Sequence, residues 1–211
     1  MPPVPFDRRA AKRVPTRAVR VSIRGGASGL VGVDVSIEGV GVATPQPSPP
    51  GEVLELELDH RRVGVLSIAA MVAWSGEVAG LGRTGLQFLR PSIGQRTHLR
   101  RLMAAEVGSC VLDEDGRTHG FALTTAAGVW AVLDATALKV AVVHQDGHHL
   151  AVTHRPRGAA YDDLRQHTVD DLEAAVALAL GATGRLRLDP PLGPRSQPVL
   201  GGRPAPATAR H

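Results

Sequence analysis

Arg9 and Arg13 stand four residues apart in DRRAAKRVPTR, residues 7–17, with Arg8 directly before them. A guanidinium stays charged at any working pH and offers a planar fork of donors, a shape that grips paired oxygens of an anion. Downstream, Asp34, Ser36 and Gly39 make the pattern D-x-S-x-x-G. A carboxylate accepts hydrogen bonds and a hydroxyl both donates and accepts. Glycine admits close backbone approach or a backbone angle that other residues avoid. Cations on one segment and an acid–hydroxyl–glycine trio on another suit a small, polar, negatively charged partner. The charge distribution agrees. Net charge is only +4, yet Arg8, Arg9, Lys12, Arg13, Arg17, Arg20 and Arg24 crowd the first segment against Asp7 alone. A basic cluster beside a near-balanced remainder points to a small anion or an anionic protein patch.

The elements that must position these residues are read from hydrophobic patterning. RAVRVSIRG, from Arg17, alternates polar and apolar as a half-buried strand does, and GLVGVDVSI and GVGVAT follow as two more. In an unbroken strand Asp34, Ser36 and Glu38 share one face and Val33, Val35 and Ile37 the other. The proline-rich PQPSPPG is a loop. EVLELELD, VGVLSIAAMVAWSG and RTGLQFL complete six short strands joined by tight turns. That pattern predicts a mainly β fold, a small antiparallel barrel or sandwich. PSIGQRTHLRRLMAAE then reads as a helix, with Ser92 and Gln95 at capping-box spacing and an apolar stripe of Leu99, Leu102 and Met103.

Three features recur in a fixed order: R-x-x-x-R ahead of the first strand, D-x-S-x-x-G, and GRTGLQF ahead of the helix. This order resembles the PilZ domain family over roughly residues 7–104. The resemblance implies a six-stranded antiparallel β-barrel with a C-terminal helix that binds the bacterial second messenger cyclic di-GMP. By the same resemblance Arg9 and Arg13 clasp the ligand. Asp34 then accepts from guanine N1 and N2, Ser36 donates to a phosphate or ribose oxygen, and Gly39 admits close approach. Arginine at the position of Arg8 goes, in the family, with an intercalated pair of ligands. The ligand is sensed and not turned over, so no enzyme activity and no cofactor are expected. The expected partners are cyclic di-GMP and a downstream protein, with the chain a monomer or a ligand-dependent dimer. The other reading is a ligand-independent adaptor or scaffold in motility machinery. Taken singly, the motif residues also have structural readings: a solvated or lipid-contacting arm, outward-facing strand residues, and a bulge glycine.

After the barrel, SCVLDEDGRTHGFALTT and VAVVHQDGHHLAVTH each read as two strands around an Asp-Gly turn, with GVWAVLDA between them. TVDDLEAAVALALGA reads as a helix with a Thr cap and a closing glycine. The expected organisation is a flexible arm over 1–16, barrel and helix over 17–105, a small α+β unit over 106–189, and a disordered Pro/Gly-rich tail over 190–211. The helix residues Leu172, Val176, Leu178 and Leu180 are expected to pack on that unit's own sheet. His144, His148, His149, His154 and His167 lack the spacing of a metal site, and GGASG lacks the lysine of a phosphate-binding loop. One cysteine, Cys110, excludes an internal disulfide and fits a reducing compartment. No apolar run reaches the ~18 residues of a membrane span, and the start lacks a secretory core. A bacterial cytoplasmic protein is expected. Aromatics at 3% offer few surfaces for stacking single-stranded nucleic acid.

Overall fold

The computed structural model of the chain describes residues 12–16, 18–45, 48–78, 80–154 and 164–191. Arg8, Arg9 and the segment after residue 191 lie outside the described residues. The first strands are β1 (Val14–Pro15), β2 (Arg20–Ile23), β3 (Leu30–Val35) and β4 (Gly39–Ala43). They are followed by β5 (Val53–His60), β6 (Gly64–Val78) and β7 (Leu81–Phe88). Hydrogen bonding runs β2–β5–β6–β7–β4–β3, and β3 returns to β2, so six antiparallel strands close a barrel. The alternation in β5 shows why: Leu56, Leu58 and His60 are buried while Glu55, Glu57 and Asp59 face water. Val21, Val35, Val40, Ile68, Val72 and Leu86 fill the interior beside them. The end of the basic lead-in is also sheet. β1 lies on β3, Val14 opposite Val35 and Pro15 opposite Asp34, on the edge that β2 leaves free beyond Leu30 and Val31.

Helix α1 (Ile93–Val107) begins with the expected capping box: Ser92 Oγ accepts from Gln95 N at 3.2 Å, and Gln95 Oε1 accepts from Ser92 N at 2.8 Å. Its Leu99 and Leu102 are wholly buried in the barrel core. The second sheet comprises β8 (Ser109–Leu112), β9 (Thr118–Ala126), β10 (Val129–Asp134), β11 (Lys139–Asp146), β12 (His149–His154), β13 (Arg165–Val169) and β14 (Arg187–Asp189), with α2 (Leu172–Leu180) packed on one face. Its order is β13–β12–β11–β10–β9–β8–β14, antiparallel throughout. Cys110, Leu112 and Phe121, on the face away from α2, belong to the same buried cluster as the barrel and α1. Barrel, helix and second sheet therefore share one core.

Two local readings change. Thr168 lies inside β13, and the cap of α2 is Asp171, whose carboxylate accepts from Ala174 N at 2.7 Å. At the β11–β12 hairpin Asp146 still pairs with His149, so the two-residue loop is Gly147–His148. Gly147 alone takes the positive φ there, 61°, as a turn with glycine in its first central position requires.

Among the described residues no group of three metal-ligating side chains converges. His154 instead sits 5.2 Å from the His167 ring. Burial first, then the His167 and Arg165 charges, holds the His154 pKa below its ordinary value, and burial with Arg101 does the same for His98. Below about pH 6.5 the unfolded chain therefore binds protons that the folded chain refuses, so stability falls as pH falls. The melting temperature is expected to drop between about pH 7.5 and pH 5.5, and less so in His154→Gln. A flat profile in differential scanning fluorimetry would contradict this.

Candidate functional site

One row of paired residues crosses four strands on the barrel's outer face: Asp34 of β3, Gly41 of β4, Gly85 of β7 and Trp74 of β6. Simple alternation does not put them there. Gly32 pairs with the inward Val42, so Asp34, two residues later, would also point inward. A bulge between Gly32 and Asp34 adds one residue and turns Asp34 outward. In β6, Val72 pairs with the inward Leu86, and a second bulge before Trp74 turns the indole outward. Ser75, carried inward by the same bulge, places its hydroxyl 2.6 Å from the Ser48 carbonyl and 3.1 Å from Thr84 Oγ1.

The two flanking side chains lie over the glycines, the Asp34 carboxylate over Gly41 and the Trp74 indole over Gly85. A methyl on Gly41 would sit 3.1 Å from Asp34 Oδ2, and one on Gly85 would overlap the Trp74 ring. Trp74 keeps 39% of its surface exposed. The face thus offers a carboxylate and, beside it, the exposed side of an indole, each seated on a glycine. Arg83, two residues from Gly85 on the same side of β7, brings a guanidinium whose Nε is buried with no hydrogen-bond partner among the described residues.

Arg13 reaches this row. β1 hydrogen-bonds to β3 through its pairing, Thr16 N donates to Val33 O at 2.9 Å, and Arg13 Nη1 donates to Asp34 Oδ1. Both side chains remain partly exposed, at 24% and 30%. The second arginine of R-x-x-x-R and the acid of D-x-S-x-x-G therefore meet.

Ser36 does not stand beside Asp34. β3 ends at Val35, and Ser36 lies 2% exposed inside the β3–β4 turn. Its Oγ accepts from Gly39 N at 3.1 Å and from Glu38 N at 3.2 Å, while its own N–H donates to Gly39 O at 2.8 Å. The hydroxyl is committed to the turn that follows the carboxylate. Gly39 answers the choice left by sequence: its φ is not positive, and a methyl there would overlap the Leu86 carbonyl oxygen of β7. It is the close approach of two strands that requires glycine. Gly41 and Trp74 carry no motif reading from sequence, and Arg83 and Gly85 lie in GRTGLQF, which that reading gives no site role. Their only signal was the glycines themselves, at Gly-x-Gly over 39–41 and within GRTGLQF.

Residues 7–105 match the family model for the PilZ domain, and this part of the chain is a PilZ domain. Comparison of the sequence with curated proteins gave no match. Among solved structures, YcgR of Escherichia coli in complex with c-di-GMP is similar at 19% identity and a TM-score of 0.40, over 45% of this chain and 44% of that one. The isolated PilZ domain of YcgR with c-di-GMP is similar at 17% identity and a TM-score of 0.39, over 46% of this chain and 88% of that one. The PlzA protein of Borreliella burgdorferi in complex with c-di-GMP is similar at 6% identity and a TM-score of 0.27, over 79% of this chain and 86% of that one. The chain thus spans under half the length of the first of these. Among the described residues no helix is long and apolar enough to cross a membrane.

Proposed function

We propose that the chain is a cyclic di-GMP receptor that senses its ligand on the Asp34–Gly41–Gly85–Trp74 face and passes the signal to a protein partner. The observation that carries this reading is the pairing of Arg13 with Asp34, which unites the two sequence motifs on one face of a PilZ barrel.

The chemistry follows residue by residue. A half-exposed ion pair is worth about 0–1 kcal/mol, so Arg13 gives up Asp34 at little cost. Each hydrogen bond to a charged group contributes about 1.5–3 kcal/mol. Exchanging the internal pair for a phosphate on Arg13 and a guanine N1–N2 edge on Asp34 is therefore favourable. The glycines let the Trp74 indole lie flat on the barrel wall, and its exposed face stacks on the base, worth about 1–3 kcal/mol. Arg9 closes over the ligand from the same segment as Arg13, and Arg83 adds positive charge. Ser36 and Gly39 act on the ligand through the turn that holds Asp34. Arg8 favours a stacked pair of ligands.

Calorimetric titration with cyclic di-GMP is expected to show saturable heat, with a stoichiometry near two if Arg8 acts as proposed. At a hundredfold excess over Kd, binding stabilises the fold by about 2.7 kcal/mol. For a chain of this size that is a rise in melting temperature of roughly 5–10 °C. GTP at the same concentration is the control. No heat and no shift with cyclic di-GMP would overturn the reading and leave the adaptor role.

A further inference from the structure

Among the described residues a second set of buried ionisable side chains links the barrel, α1 and the second sheet. Glu106, in the last turn of α1, is 3% exposed, and its Oε1 accepts from the backbone N–H of Ala18 at 3.0 Å. His60, wholly buried at the end of β5, places Nε2 3.9 Å from the same carboxylate oxygen. Its Nδ1 accepts from Arg62 N at 3.3 Å, so a neutral ring carries its proton on Nε2, toward Glu106. The Arg62 side chain, 7% exposed, then leaves the barrel's β5–β6 turn and reaches Asp189 of β14, Nη2 to Oδ2 2.6 Å.

We infer that Ala18, Glu106, His60, Arg62 and Asp189 form a relay that ties the root of the arginine arm to the second sheet, making that sheet the element that responds when the arm moves. The response assigned to it rests on the ligand reading above. Three features support the relay. Ala18 lies five residues after Arg13, at most about 18 Å of extended chain, with β1 and the Thr16 N–H on Val33 between them, so an arm that leaves Asp34 acts on this contact by loosening that pairing. Glu106 stands three residues before β8, and the intervening Gly108 is too closely packed to absorb movement: a methyl there would sit 2.8 Å from Leu123 Cδ1 and 2.9 Å from the Ala122 carbonyl of β9. β14 has only three residues, pairs with β8 alone, and is held otherwise by Arg62 on Asp189 and by Glu173 Oε1, which accepts from Leu188 N at 3.4 Å. Short, singly paired strands are the parts of a fold that open most easily.

Hydrogen–deuterium exchange on the intact chain tests this without ligand. Asp34→Ala frees Arg13 and is expected to raise exchange at Thr16 and Ala18. If the relay exists, exchange in β8 and β14 rises with it, by about fivefold or more, the lower end of ordinary coupling between sites. In Asp189→Ala, which removes the Arg62 contact, the β14 response to Asp34→Ala falls to that of β8, to which it stays paired, while the β8 response, carried by Glu106, persists. A rise confined to residues 12–44 overturns the relay. Calorimetry on the wild type decides the ligand separately. Coupling without cyclic di-GMP binding refutes the ligand and keeps the relay, while binding with exchange changes confined to the barrel does the reverse.

Discussion

Arg13→Ala is expected to weaken cyclic di-GMP binding by about ten- to a hundredfold, more than any other single change of a charged residue among those described. Two losses add. The first is the charge-assisted contact to phosphate, about 1.5–3 kcal/mol, each 1.4 kcal/mol being a factor of ten. The second is electrostatic: without Arg13, the Asp34 carboxylate faces a doubly negative ligand with its counter-charge gone. Asp34→Asn gives up the charge and one of the two acceptors for the guanine edge, so its loss is expected at about tenfold. On a generic basic surface Asp34→Asn would bind the doubly negative ligand more tightly, because a repelling charge is gone, so a loss of affinity in Asp34→Asn separates a clasp from such a surface. Arg100, exposed on α1, is the control, and Arg100→Ala is expected to bind as the wild type does. Because the Arg13–Asp34 pair is partly solvated, Arg13→Ala changes unliganded stability by less than about 1 kcal/mol. A titration in which Arg13→Ala and Arg100→Ala match the wild type would remove the clasp.

Much of the barrel was legible because its strands announce themselves two residues at a time. Glu-Leu-Glu-Leu over 55–58 admits one inward face, and Ser92 with Gln95 admits one helix start. The second sheet's hairpins were marked by Gly116 and Gly147, both with positive φ. What escaped was set by partners far along the chain. β1 and β14 are two and three residues long and exist through pairing with β3 and β8. β13, mostly exposed, carries no alternation to read. The contact between Ala18 and Glu106 joins residues 88 apart. The site failed to declare itself for a sharper reason. Each bulge inserts one residue with no composition of its own, yet it reverses the face of everything after it. Counting by twos set Ser36 beside Asp34, but β3 ends at Val35 and Ser36 goes into the turn. The bulges in β3 and β6 turn Asp34 and Trp74 onto the same outer face.

Gly85→Ala tests that geometry. A single methyl has no place there, since it falls within the indole ring of Trp74. Trp74, partly exposed, can swing away at lower cost than two hydrogen-bonded strands can part. The substituted protein is therefore expected to fold but to lose the stacking surface, which is worth about 1–3 kcal/mol, or roughly five- to a hundredfold in affinity. Trp74→Ala removes the same surface directly and is expected to lose a similar amount. The double variant is expected to bind no more weakly than the worse single one, because both act on one contact. The chain holds two tryptophans, so Trp130→Phe leaves Trp74 as the only indole reporter. In that background cyclic di-GMP is expected to quench the emission. Gly85→Ala shifts the emission to the red before any ligand is added, as the ring leaves the barrel wall for water. If both single variants bind like the wild type and the emission ignores the ligand, the base lies elsewhere on the barrel and Gly85 serves only to seat the Trp74 ring on the wall.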